Sequence, residues 1–169
     1  MTPNRLHHGR GHEIAVRDRL TASGWTVQDW GQGLLDDEIR VVIRHGKREP
    51  IVLWRWIPDL IAVKGQRIVL VDPKTDLRDD TANFSIEVSA WQAHLTMLPL
   101  GLPITYVWSD FSCNLAHMIK PVRLLPGVAE GRTSFYLVRK ADQRPWEWAF
   151  GSPGAVNMPL PANKGDRTA

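Results

Sequence analysis

"RWIPDLIAVKGQRIVLVDPKT", residues 55–75, is mostly aliphatic yet carries two aspartates and a lysine. A carboxylate among apolar neighbours is costly unless something pairs with it. Gly65 occupies the position where a two-residue type II′ turn wants glycine, which predicts a β-hairpin with its tip at Lys64–Arg67. With the turn centred between Gly65 and Gln66, Asp59 falls directly opposite Asp72 on one face, about 4.5–5.5 Å away at Cβ. Side chains alternate along a strand, so Lys74 shares the face of Asp72 while Pro73 points away. Two like charges so opposed destabilise a sheet, and a bound cation reverses the sign.

The flanking segments supply the rest of the expected architecture. In "GHEIAVRDRLTASGW" (11–25) Val16 and Leu20 form one helical stripe, Glu13 belongs to the same face and should look toward the core, and Gly24 ends the helix. "WTVQDW" (25–30) reads as a short strand. "GLLDDEIRVVIRHG" (33–46) spaces Leu35, Ile39, Val42 and Ile43 as a helix, with acids early, Arg44 and His45 late and Gly46 as the stop, although its β-branched run argues for a strand. The apolar "IVLWRW" (51–56) leads into the hairpin, and the polar "KTDLRDDTAN" (74–83) leads out of it. "FSIEVSAWQAHLTML" (84–98) reads as a second amphipathic helix stopped by Pro99 and Gly101, and "LPITYVW" (102–108) as a buried strand. "VRLLPG" (122–127) and "SFYLVRK" (134–140) suit edge strands, "WEWAF" (146–150) a last packed element, and the Pro/Gly/Ala-rich 151–169 a disordered tail.

Opposed aspartates reinforced by an inward-facing glutamate make a hard, all-oxygen site suited to Mg²⁺ or Mn²⁺ and poor for zinc. The Pro73 carbonyl remains available as a further metal ligand. Lys74, alongside, can orient or deprotonate an attacking water or stabilise a pentavalent transition state. Such a set suits metal-assisted phosphodiester hydrolysis.

Pro58-Asp59, then Asp72-Pro73-Lys74, preceded by Glu13 on a helix, resembles the PD-(D/E)xK nuclease superfamily, which includes restriction enzymes, Holliday junction resolvases and phage exonucleases. The resemblance covers about residues 9–109, with an insertion at about 31–50. It is strongest to small stand-alone nucleases of phages and mobile elements, of the kind exemplified by Holliday junction resolvases. It implies an α/β fold with a restriction-endonuclease-like α-β-β-β-α-β core, a mixed central sheet flanked by helices, and a single nuclease-like domain over 1–150. It implies further that Glu13, Asp59 and Asp72 bind metal, that Lys74 is catalytic, and that the helix after the lysine strand presents a polar group to the site. Glu87 and Gln92 are the candidates for that group. DNA is the expected substrate, with RNA as an alternative, and a homodimer would suit cutting of both strands. A module of the same fold that binds nucleic acid or assembles without cutting, and a structural phage protein, are the rival readings.

Composition is compatible with this. The chain of 169 residues is 43% hydrophobic and 23% charged, with net charge +3 and one cysteine, Cys113. The lone cysteine excludes an intramolecular disulfide and a cysteine-built zinc site, and suits a reducing, cytoplasmic setting. No apolar run approaches the roughly 20 residues that span a bilayer, so no membrane partner is expected. The basic excess lies in residues 112–169, with 8 Lys/Arg against 4 Asp/Glu. Arg10 and His12 near the first helix, and the run Arg44, His45, Lys47 and Arg48, are candidate phosphate contacts. His7, His8 and His12 suggest a metal cluster, but the glycines at 9 and 11 speak against a helix that would gather them. Of the eight tryptophans, Trp25, Trp54, Trp56, Trp91 and Trp108 are expected in the core, leaving Trp30, Trp146 and Trp148 to stack on bases.

Overall fold

A computed structural model of the chain describes residues 3–46, 54–75, 82–101, 103–127 and 133–152. Its helices are α1 (Pro3–Ala22), α2 (Asp37–His45), α3 (Val88–Met97) and the short α4 (Trp146–Phe150). Its strands are β1 (Thr26–Asp29), β2 (Leu60–Lys64), β3 (Arg67–Pro73), β4 (Asn83–Glu87), β5 (Ile104–Val107), β6 (Cys113–Leu115), β7 (Arg123–Leu125) and β8 (Phe135–Arg139). A five-stranded mixed sheet runs β1-β2-β3-β5-β6, antiparallel except where β3 pairs parallel with β5. A smaller antiparallel sheet runs β4-β8-β7. None of the described helices is long and apolar enough to cross a membrane.

The hairpin forms as its turn chemistry dictates. Gly65 sits at φ 59 while Gln66 keeps a negative φ, the signature of a type II′ rather than a type I′ turn. The register pairs Leu60 with Val71 and Lys64 with Arg67. Asp59 and Asp72 are therefore the next pair beyond the ladder. Alternation then sorts the hairpin into two faces. Leu60, Ala62, Val69 and Val71 pack with Val16 and Leu20 of α1, Val107, Trp146 and Phe150 of α4. Leu70 packs on the other face with Ile104, Tyr106 and Trp108, and with Phe84, Ile86 and Val138 of the smaller sheet. Phe84 stacks on Trp108 with centroids 4.6 Å apart.

Several expectations change. The first helix starts at Pro3 and runs through Gly9 and Gly11; a glycine costs a helix about 1 kcal/mol, too little to stop twenty residues that dock on the sheet. The segment 84–98 splits at Glu87: Asn83–Glu87 is a strand, because Phe84 and Ile86 alternate with polar residues and pair with β8, and only Val88–Met97 is helix. For the same reason β8 lies at the centre of its sheet, between β4 and β7, and not at an edge. Trp54 is helical, and Arg55 and Trp56 lie in a turn. The 33–46 segment is a 3-10 turn, Gln32–Leu34, followed by α2. Of its apolar stripe Ile43 is buried and Leu35 half-buried, while Ile39 and Val42 face solvent. Arg55 holds the end of this helix, its guanidinium donating to the carbonyls of Ile43 and Gly46 at 3.2 and 2.7 Å, where the macrodipole favours a cation. Residues 51–53, most of the polar connection and 153–169 of the expected tail lie outside the described residues.

Leu60 is fully buried where the hairpin meets α1. Leu60→Ala is expected to destabilise the protein by about 3 kcal/mol, read as a lower urea midpoint at unchanged m-value.

Candidate active site

Asp59 and Asp72 neighbour each other at the open end of the hairpin, one step beyond the Leu60–Val71 pair. Asp72, on β3, is 3% exposed. Asp59 sits in the bend before β2, fixed from behind by backbone: Trp30 and Gly31 donate their N–H groups to its carbonyl at 2.7 and 3.3 Å. Gly31 permits this close approach, since a Cβ there would lie 3.1 Å from the Asp59 Cα and 3.2 Å from its Oδ1 and would press Asp59 back by a few tenths of an ångström. Burial first, and the neighbouring Asp72 charge second, push the Asp59 carboxyl from 3.8 up to about 7; Lys74 pulls it down, while Glu13 and a hydrogen bond from Asp72 add to the rise. A neighbouring carboxylate disfavours the charged form of Asp59, and a cation beside it would favour that form.

Lys74 provides part of that compensation. Its Nζ lies 2.7 Å from Asp72 Oδ2 and 5.4 Å from the centre of the Tyr106 ring. The chain is steered into this position by the Lys74 N–H, which donates to the Val107 carbonyl at 2.7 Å and extends the parallel β3–β5 pairing by one residue. His12 Nε2 donates to the same carbonyl at 3.1 Å, and its ring packs on Phe111. His12 is thereby a tether of α1 to β5, and its Nε2 is taken up there instead of being free for phosphate.

Glu13 reaches the site differently from the expectation. Helix α1 covers the Leu60/Val71 face of the sheet, whereas Asp72 lies on the other, so Glu13 acts on Asp59 past the strand end. Its half-exposed carboxylate lies 3.9 Å from Arg17, which also pairs with Asp29. Among the described residues no three His, Cys, Asp or Glu side chains converge closely enough to hold an ion. The two-aspartate core still fits a hard divalent ion, because Mg²⁺ is usually held by one or two carboxylates, with waters and substrate phosphates completing the octahedron. The Pro73 carbonyl lies between Asp72 and Lys74 in sequence, at the end of β3.

Of the two candidates expected on the following helix, Glu87 ends strand β4 and borders the site, and Gln92, on α3, is exposed. Burial raises the Glu87 carboxyl above its ordinary range, against a hydrogen bond from Ser89 and the charges of Lys74 and Arg55. The polar group placed deepest is neither of these but His94. It is 1% exposed, with Nδ1 2.6 Å from the Tyr106 hydroxyl and 3.6 Å from Asp72 Oδ2, and Nε2 2.5 Å from the Trp56 carbonyl. Burial lowers its pKa, against the raising effect of Asp72, and burial with Asp72 puts the Tyr106 hydroxyl well above its usual value. In the sequence the one signal was its place one helical turn from Ala90 on the buried stripe of α3.

Arg10 is exposed on α1. The Arg44 side chain, and Lys47 and Arg48 entirely, lie outside the described residues. Trp30 and Trp54 are about half exposed, whereas Trp146 is buried against Phe150 and Trp148 partly buried beside it. The expected roles of Trp54 and Trp146 are thus exchanged. Trp146 belongs to the apolar cluster closed by α1 and α4, and Trp54 precedes the turn that carries Arg55.

No family model matches the chain, and no curated protein does. Among solved structures, Hjc, a Holliday junction resolvase from the archaeal hyperthermophile Archaeoglobus fulgidus, is similar with a TM-score of 0.50 and 10% sequence identity, over 85% of this chain and 96% of the resolvase. The likeness shows the fold alone: a mixed α/β architecture, its mixed central sheet flanked by helices, as in that resolvase.

Between pH 3.8 and about 7 the folded chain keeps a proton on Asp59 that the unfolded chain has released. Its contribution to stability is therefore complete below the first value and lost above the second. Without divalent metal, the melting temperature is expected to fall between pH 5 and pH 8, and Asp59→Asn to remove that part of the fall, as measured by thermal unfolding in chelator.

Proposed function

We propose that the chain is a divalent-metal-dependent nuclease that hydrolyses DNA phosphodiester bonds. The observation that carries this reading is the placing of Asp59 and Asp72 one step beyond the Leu60–Val71 pair, with the Lys74 amine 2.7 Å from Asp72 Oδ2, at the end of a hairpin in a resolvase-like fold. A buried pair of acids with one adjacent amine is unfavourable for stability alone and suited to gathering a cation. Asp59 and Asp72 would hold Mg²⁺ or Mn²⁺, with the Pro73 carbonyl as a further oxygen donor. Such an ion supplies an acidified water and neutralises charge on the phosphoryl group.

The chain's own groups do the remainder. Asp72 keeps Lys74 on the hairpin face, and the Val107 carbonyl fixes the strand that carries it. Once Asp72 gives its charge to a cation, the amine is available to orient the attacking water or to meet charge developing on a non-bridging oxygen. The half-exposed Trp30, whose backbone N–H donates to the Asp59 carbonyl, would offer a surface for an unpaired base. Because the neighbouring structure is named a Holliday junction resolvase, branched DNA is the first substrate to test. A second reading, a module that binds DNA without cutting it, draws on Glu13, whose carboxylate lies 3.9 Å from Arg17 and does not close on the aspartates.

With linear, supercoiled, single-stranded and four-way-junction DNA in Mg²⁺ or Mn²⁺, cleavage is expected on a denaturing gel and is abolished by chelator. Asp72→Asn and Lys74→Ala should each lower the rate by about 10²-fold or more while leaving the unfolding transition in place. Cleavage that survives excess chelator or Asp72→Asn defeats the proposal, and gel-shift binding without cleavage in either metal selects the second reading.

A further inference from the structure

We propose that His94 is a positioning residue that holds the two aspartates at a fixed separation, by tying the Trp56–Asp59 segment to the strands that carry Asp72 and Tyr106. The inference rests on the metal-site reading above and adds to it a residue on α3.

The hydrogen-bond pattern fixes the tautomer. The Trp56 carbonyl can only accept, so Nε2, 2.5 Å away, must donate. Nδ1 is then the acceptor, and the Tyr106 hydroxyl at 2.6 Å is its donor. Asp72 Oδ2, at 3.6 Å from Nδ1, lies beyond hydrogen-bonding distance. His94 thus touches Asp72 without neutralising it, and Lys74 is the cationic partner at bonding distance from that carboxylate.

Trp56 precedes Asp59 by three residues, and Tyr106 is the parallel-sheet partner of Asp72. The imidazole, buried between them, is the hydrogen-bonded link from the segment that presents one acid to the strand pair that presents the other. Asp59 lies beyond the last ladder pair of the hairpin, so strand pairing alone does not set its distance from Asp72. A spacer on the far side of the pair, with Gly31 on the near side, does.

The test separates the two contacts in the full-length protein. His94→Asn keeps an acceptor near the Nδ1 position and loses the donor to Trp56, whereas His94→Gln restores an N–H near the Nε2 position. Mn²⁺ binding, followed by the electron paramagnetic resonance of free ion, is expected to weaken about tenfold in His94→Asn. His94→Gln should recover most of that loss, although both variants lose the ring's packing. In wild-type protein, ¹⁵N spectra of the histidine rings should show His94, assigned by its loss in His94→Gln, in the Nε2–H form. Mn²⁺ binding as tight in His94→Asn as in wild type, no recovery in His94→Gln, or an Nδ1–H ring each overturns the inference while the metal site stands. Mn²⁺ binding that is indifferent to Asp72→Asn overturns the metal site and the inference together. Should both variants unfold, the wild-type tautomer decides.

Discussion

The register of one hairpin sets two acids against each other, and much of the surrounding structure exists to hold them there. Leu60 pairs with Val71, so the next residues along, Asp59 and Asp72, are brought to the same end of the hairpin. Nothing in strand pairing favours this. The aliphatic residues of both hairpin faces pack into two apolar clusters, one against α1 and α4 and the other against the smaller sheet and α3. Each fully buried aliphatic side chain contributes about 1.5–3 kcal/mol, enough in sum to outweigh the repulsion. Stability gathered by the sheet is thus spent at its end, which is where functional sites commonly hold unfavourable groups.

The hairpin and its chemistry were legible because every signal was local. A glycine at the turn, an apolar run on each side and two aspartates equidistant from the tip are all contained in 21 residues. Helix α2 was legible for the same reason, its acids, its basic end and its glycine stop lying within one segment. What the sequence concealed was non-local. The strand β4 gains its identity from pairing with β8, some fifty residues later, and without that partner the spacing of Phe84, Val88, Trp91 and Leu95 suits one continuous helix face. The stopping power of Gly9 and Gly11 was overestimated because the docking of α1 on the sheet outweighs their intrinsic cost.

His94 illustrates the same limit within the site. A single histidine on a mostly apolar helix gives no sign of chemistry, since its partners, Trp56, Tyr106 and Asp72, lie on three other segments. Glu13 shows the converse. The sequence puts it on the Val16/Leu20 stripe, but that stripe meets the face opposite to Asp72, and the Glu13 carboxylate lies beside Arg17. Being on the inner face of a helix and being inside the site are different conditions, and only topology distinguishes them. The tryptophans divide on similar grounds: burial follows which cluster a segment joins, and neither the Trp54 nor the Trp146 neighbourhood announces that membership.

The parallel pairing of β3 with β5 carries a consequence for how the molecule acquires its chemistry. The hairpin can close in microseconds on its own, bringing the aspartates near one another. The carbonyl that anchors Lys74 and the hydroxyl that meets His94 arrive only with Val107 and Tyr106, after a crossover through β4 and α3 has folded back across the sheet. Pairings so distant in sequence form slowly, because loop closure must precede any reward. During synthesis, a nascent chain that has not yet emerged past Val107 carries the acids and the amine without the strand that aligns them.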